Sequence, residues 1–220
     1  MKKAALLLFA SSLSVMASPL KFGADAGGIL TIPSFSGTNS PDGKVGFGGK
    51  IAGAVQYDVN DKFGVRGSVG YEFTTWGTKK TSKVVENYAG NYYSESGSAT
   101  TDLQSHFVTI GADALFAVIP QVQLIGGLGV DIPLHTHYSS KKSETQTFGA
   151  ASVSNDTTIS GNVGKTQTSF FLNAGLGYKI NPAWSVQAKY KFPVTDFYDH
   201  NDDEIKLSQI LVGVSYNFGE

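Results

Sequence analysis

The chain of 220 residues contains no cysteine, so it has neither a disulfide framework nor thiolate chemistry for metals or redox. Charge is scarce as well: Asp, Glu, Lys and Arg make up only 16% of the residues, below the quarter usual in soluble domains. With a formal net charge of −1, the chain lacks the electrostatic footprint of a nucleic-acid binder. Beyond Ala17, no apolar run approaches the ~18 residues that a membrane-spanning helix requires. What is abundant is glycine (26), phenylalanine (14) and tyrosine (10), within a hydrophobic content of 41%. That length and mixture suit one all-β domain.

The first residues encode export. Lys2 and Lys3 form a basic start, Ala4 to Val15 an apolar stretch, and Val15-Met16-Ala17 offers small residues before a cleavage point. Residues 1–17 are expected to be a signal peptide and 18–220 the mature domain. Removing the signal leaves 15 basic against 18 acidic side chains.

The mature chain alternates with period two, the spacing that sends successive side chains to opposite faces of a strand. Strands are expected over 20–32, 45–59, 63–75, 103–118, 122–136, 170–180, 184–194 and 210–218. In the last, Ile210, Val212, Val214, Tyr216 and Phe218 share one face, and Leu211, Gly213, Ser215 and Asn217 the other. Short turns fall at Asn60-Asp61-Lys62, Pro120-Gln121 and Asn181-Pro182-Ala183. Long polar segments separate the remaining strands at 33–44, 77–101, 138–165 and 195–204. The segment 77–101 reads as either a loose loop or two strand extensions meeting near Ala89-Gly90-Asn91.

Long loops at one end, with tight turns and both termini at the other, are the pattern of an all-β, eight-stranded, antiparallel up-and-down transmembrane barrel. Its short turns are periplasmic and its long loops extracellular. Only a closed ring satisfies the backbone in hydrocarbon, so 210–218 is expected to pair with 20–32. Period two does not by itself say which face meets lipid, and the soluble alternative is a ligand carrier with its apolar face inward. A soluble exterior needs many charges. Here the polar face is mainly Gly, Ala, Ser and Thr, which suits a narrow filled interior. Tyr57, Phe63, Phe116, Tyr178, Trp184, Tyr216 and Phe218 are expected in a girdle near the turns. Phe47, Phe73, Trp76, Phe107, Phe170 and Phe192 are expected in a second girdle toward the loops.

The inward face carries Asp25, Glu72, Asp113 and Asp131 against Lys50, Arg66, Lys189 and Lys191. Unpaired charge in a narrow lumen is costly, so salt-bridged layers that plug the barrel are expected. Lys50, Glu72 and Asp131 lie farther from the turns, and Asp25, Arg66 and Asp113 nearer. A gated ion path is the functional alternative.

Four histidines, His106, His135, His137 and His200, invite a metal reading. His135 and His137 share a strand face, but no third ligand is evident, so no metal and no cofactor is expected. In His137-Tyr138-Ser139, a base and a nucleophile share one face, with Glu144 nearby as an acidic partner. That element resembles the His-x-Ser of outer-membrane lipid A deacylases. It covers three residues, and the chain is expected not to be an enzyme.

Taken together, the export signal, eight alternating strands and the closing Gly213-x-x-Tyr216-x-Phe218 resemble the small outer-membrane β-barrel superfamily. That superfamily includes the outer-membrane protein A barrel, outer-membrane protein X and the opacity adhesins. The resemblance implies location in the bacterial outer membrane, contact with its lipid and lipopolysaccharide, and a monomeric barrel. It assigns Gly213, Tyr216 and Phe218 as a signal to the barrel-assembly machinery, although Leu211 stands where that signal usually has a polar residue and Gly219-Glu220 follow its last aromatic. A structural or adhesive role is expected, with host or cell-surface ligands met through 77–101 and 138–165. The alternative is a narrow porin or a conduit for small hydrophobic solutes.

Overall fold

The computed structural model describes residues 20–36, 41–88, 91–148, 151–164, 166–200 and 203–218. The expected signal peptide and the terminal Gly219-Glu220 lie outside the described residues. Eleven strands form one antiparallel sheet: β1 (Leu20–Ser36), β2 (Asp42–Lys44), β3 (Gly46–Asp58), β4 (Phe63–Tyr88), β5 (Asn91–Ile119), β6 (Val122–Phe148), β7 (Ala151–Asn162), β8 (Ser169–Lys179), β9 (Trp184–Pro193), β10 (Tyr198–His200) and β11 (Asp203–Phe218). Eight of them, β1, β3, β4, β5, β6, β8, β9 and β11, pair in that order. The ring closes where β1 pairs with β11 from Phe22↔Phe218 to Ser36↔Glu204. β2, β7 and β10 are additions that pair at the rim with β4, β6 and β11.

Burial runs opposite to that of a soluble protein. The largest fully buried side chains are all polar: Glu72, Thr31, Thr74, Thr109 and Ser105. Meanwhile Phe47 is 69% exposed, Ile51 64%, Leu128 60% and Val212 59%. An apolar band of that extent is stable only against lipid, so the barrel spans a membrane with its polar face inward.

Closure demands close approach. Gly27 and Gly213 face one another across the β1–β11 seam. A Cβ on Gly213 would lie 2.4 Å from the Ala26 carbonyl oxygen and 2.9 Å from Gly27 Cα. The glycine is therefore required by the seam itself, whatever else reads it.

Two of the periplasmic turns share one design. The Asn60 side-chain oxygen accepts from the amides of Lys62 and Phe63, each at 2.9 Å, while Val59 N–H donates to the Phe63 carbonyl at 2.9 Å. In the β8–β9 turn, the Asn181 oxygen accepts from Ala183 at 2.9 Å and Trp184 at 2.8 Å, and Ile180 N–H donates to the Trp184 carbonyl at 2.9 Å. In each, an asparagine folds the chain by imitating a backbone turn, and an aromatic follows three residues later.

On the extracellular side the fold outgrows the barrel. β4, β5 and β6 contain 26, 29 and 27 residues. A tilted span uses about 9 to 11 of these. The segment 77–101 is the two-extension form: β4 and β5 pair without a break from the barrel to Tyr88↔Asn91. β6 continues beside β5 to Tyr93↔Phe148, then β7 returns along β6 from Phe148↔Ala151 to His137↔Asn162. The segment 138–165 is thus mostly strand. A bulge divides the membrane part of β6 from its extension: His106 pairs with His135 but Phe107 with Pro133, leaving Leu134 as the extra residue. The inward position passes from Asp131 to Thr136, so parity reverses there.

A closed barrel resists detergent, so the unboiled protein is expected to migrate differently from the boiled one on electrophoresis in sodium dodecyl sulfate. Equal mobility would contradict the ring. Asn60→Ala and Asn181→Ala should each lower stability by about 1 to 2 kcal/mol, read as reduced urea midpoints.

Candidate functional site

Two regions carry chemistry: the lumen, and the sheet that rises from its extracellular rim. In the lumen, side chains stack in layers from the periplasmic mouth upward. Arg66, from β4, reaches Asp25 of β1 at 2.6 Å and also donates to the oxygens of Gln56 at 3.1 Å and Asn217 at 3.2 Å. Next, Lys189 of β9 meets Asp113 of β5 at 2.6 Å, and Asn173 donates to the other oxygen of that carboxylate at 2.9 Å. Farther up, Lys191 bridges two carboxylates, Asp131 at 2.6 Å and Glu72 at 3.2 Å. Its ammonium also lies 4.3 Å from the Phe171 ring centre.

Three side chains hydrogen-bond to Glu72 among the described residues. Besides Lys191 it accepts from the Gln209 side-chain amide, and Thr109 donates to it at 3.4 Å and to Asp131 at 2.9 Å. Lys50 enters the same region. It faces Glu72 across the β3–β4 pair but makes no ion pair within 4 Å among the described residues. Two carboxylates around one fully engaged ammonium, with a second cation beside them, keep the net charge of this layer near zero. That balance is what a low-dielectric interior demands.

Above the ionic layers the lumen turns hydroxyl-rich and then aromatic. Thr31 and Thr74 hydrogen-bond across the lumen, and Ser105 accepts from the Trp76 indole at 3.1 Å and from Thr136 at 3.3 Å. The top is closed by Trp76, Phe107, Phe197 and Leu207, with Phe35, Leu103 and Ile205 packed around them. Phe197 stands edge-on to both Trp76 (6.0 Å) and Phe107 (5.5 Å).

This cap corrects the expected outer girdle. Trp76 and Phe107 do not face lipid: they are 3% and 2% exposed and point inward. Strand parity carries the reason, since Trp76 shares the face of Glu72 and Thr74, and Phe107 that of Thr109. Phe197 belongs to the segment 195–204, where no strand is expected. Its amide donates to the Ile205 carbonyl at 2.9 Å, and this tucks the ring into the mouth. Its one sequence signal is an aromatic pair, Phe197-Tyr198, in an otherwise polar stretch.

The remaining girdle positions divide by end. Tyr57, Phe63, Phe116, Tyr178, Trp184 and Phe218 are exposed on the outer surface. Tyr216 packs between Trp184 (4.7 Å) and Phe218 (5.2 Å). On the loop side, Phe47, Phe170 and Phe192 are exposed, while Phe73 stacks at 5.2 Å on His106. His106 also bonds to the Tyr71 hydroxyl and lies 6.4 Å from His135, ring to ring. No group of three or more His, Asp or Glu suited to a metal occurs among the described residues. The side chain of His200 lies outside them.

The His-x-Ser element does not assemble. His137 is engaged by the Asn162 side chain at 3.2 Å, and Ser139 sits opposite Ser160 in the β6–β7 pair. Glu144 lies on the other face of β6 by parity, where it pairs with Lys142. An acid behind the sheet cannot orient a base in front of it.

The extracellular sheet is formed by β4, β5, β6 and β7. Among the described residues β7 pairs along one edge only, with β6, and its twelve residues are almost wholly exposed. One face of this sheet carries Ser94, Ser96, Ser98 and Thr100 of β5, and Ser139, Ser143 and Thr145 of β6. The opposite face carries Tyr93 and Phe148, 6.1 Å apart, beside exposed Val153 and Ile159.

Among solved structures, the chain is similar to Ail, the attachment invasion locus protein of Yersinia pestis, at 18% identity over 91% of this chain and 100% of that one, with a TM-score of 0.45. It is also similar to Neisserial surface protein A (15% identity, 91% and 100% coverage, TM-score 0.41). CarO2 of Acinetobacter baumannii is a third (12% identity, 91% and 100% coverage, TM-score 0.39). Comparison with curated protein sequences finds no match. The family described as outer membrane protein beta-barrel domain matches residues 4–218, which takes in every strand of the ring. With a closed inside-out barrel and a family match over nearly its whole length, the chain belongs to the outer membrane protein beta-barrel domain family and resides in the bacterial outer membrane.

Proposed function

We propose that this protein works at the cell surface by contact, with the barrel as anchor and the extracellular sheet as the interacting part. The observation that carries this reading is the open edge of β7. A strand of twelve residues with one side unpaired presents a row of backbone donors and acceptors, and its sequence lacks the lysines and prolines that usually blunt such edges. An extended segment of a partner can add to it as a further strand, with main-chain hydrogen bonds for affinity and flanking side chains for selectivity. The tyrosine, serine and asparagine content of 77–101 and 138–165 suits adaptable polar contact.

A porin role fits less well. Three ionic layers and an aromatic cap lie between the two mouths, and this filling supports a plugged lumen over a conducting one. For biogenesis, we assign Gly213, Tyr216 and Phe218 to recognition by the barrel-assembly machinery, and residues 1–17 to export.

Replacing 80–98 and 141–160 by short turns should leave the heat-shifted electrophoretic form intact and abolish binding to host or bacterial surfaces. Binding that survives with full strength would sink the proposal. Blunting the edge alone with Thr157→Lys and Ile159→Lys should reduce binding at least severalfold. In planar bilayers the pure protein is expected to give no steady, large conductance. Lys191→Met strands Glu72 and Asp131, and should cost about 3 to 5 kcal/mol in urea unfolding. Lys44→Met, which breaks the exposed pair with Asp102, should cost under about 1 kcal/mol.

A further inference from the structure

We propose that the periplasmic end of the lumen binds an anionic sugar, a hydroxyl-rich ring bearing one carboxylate or phosphate. This site is separate from the extracellular sheet and at the opposite end of the molecule. It is a cavity of about 620 Å³. That is within the roughly 300 to 1,000 Å³ of small-molecule sites. The ionic layers and aromatic cap shut it off from above, so a solute can enter only from the periplasm.

Its charge is one-sided. Lys21, Arg66 and Lys179 line the cavity, and among the described residues no carboxylate does. Two of these cations are matched from behind, Lys21 by Asp58 at 3.2 Å and Arg66 by Asp25 at 2.6 Å. Lys179 makes no ion pair among the described residues. In the adjoining hollow, Asp61 and Lys62 offset one another. Among the described residues the mouth therefore retains one positive charge, which fits a monoanion.

Polar groups there are also unspent. Arg66 is buried, and its Nε has no hydrogen-bond partner. The Gln123 side-chain amide makes no hydrogen bond among the described residues, and Asn217 uses only its oxygen, accepting from Arg66. These groups offer the mixed donors and acceptors that sugar hydroxyls need. Leu115 and Ile125 supply an apolar wall for the ring's C–H face. An ion alone would use the cations and leave the amides idle. A neutral sugar would leave Lys179 unmatched.

The test is a nuclear magnetic resonance titration of the ¹⁵N-labelled, full barrel in detergent micelles with glucuronate, glucose 1-phosphate and glucose. Either or both anionic sugars should shift the side-chain amides of Gln123 and Asn217 saturably, and the arm that binds names the anionic group. The Trp76 indole at the capped end should stay still, and glucose should have no effect at the same concentrations. Lys179→Gln should weaken binding about tenfold, whereas Lys142→Gln on the extracellular sheet should not. If Lys179→Gln lacks the heat-shifted form, Gln123→Ala takes its place, with weakening of about fivefold. Absence of saturable shifts, equal shifts with glucose, or unchanged affinity in the folded variant would each overturn the proposal.

Discussion

Hydrocarbon offers no water to an unpaired amide or carbonyl, and this prohibition shapes the whole molecule. The last strand must find the first, and the two meet along fifteen paired positions. Once the ring exists, its circumference is small, and the lumen must be filled by whatever the inward positions carry. Glycines at the seam, small residues along the polar face and a few long charged chains are the outcome. Each acid and base in the filling then needs a partner from a distant strand, so Arg66–Asp25, Lys189–Asp113 and Lys191 with its two carboxylates tie β1, β4, β5, β6 and β9 together through the interior.

The same prohibition ends at the membrane surface. Above it, strands need not close, and β4 to β7 do not. The ring gives way to an open sheet whose free edges, among the described residues, are β7 and the part of β4 above Lys79, and the change occurs with no break in the β4–β5 ladder. Membrane barrel and exposed sheet are therefore continuous: the hydrogen bonds of the β4–β5 ladder run from one into the other.

Much of this was legible from residues alone, because a strand with lipid on one side and a narrow lumen on the other shows its period plainly. The seam between 20–32 and 210–218 follows from closure. Where legibility failed, the reason is physical. The extensions of β4, β5 and β6 are solvated on both faces, so alternation fades into Ser and Thr, and polar strand looks like loop. Trp76 and Phe107 were placed by their size and chemistry, although their parity puts them with Glu72 and Thr109. An aromatic near a strand end suits a membrane interface and a lumen cap equally, and only its face decides. Phe197 had no period to read. Parity also says nothing about which carboxylate takes which cation, since tilt offsets the heights of neighbouring strands.

The extra residue at Leu134 has a consequence for how such a protein can change. It works like a gearbox between two halves of one strand. Below it, the inward set is fixed by the lumen; above it, the alternation starts afresh. The upper part of β6 can thus exchange its two faces through gain or loss of a single residue, while β4 and β5 keep theirs and every contact in the membrane keeps its register. One amino acid separates the part of β6 whose faces the lumen fixes from the part whose faces it leaves open.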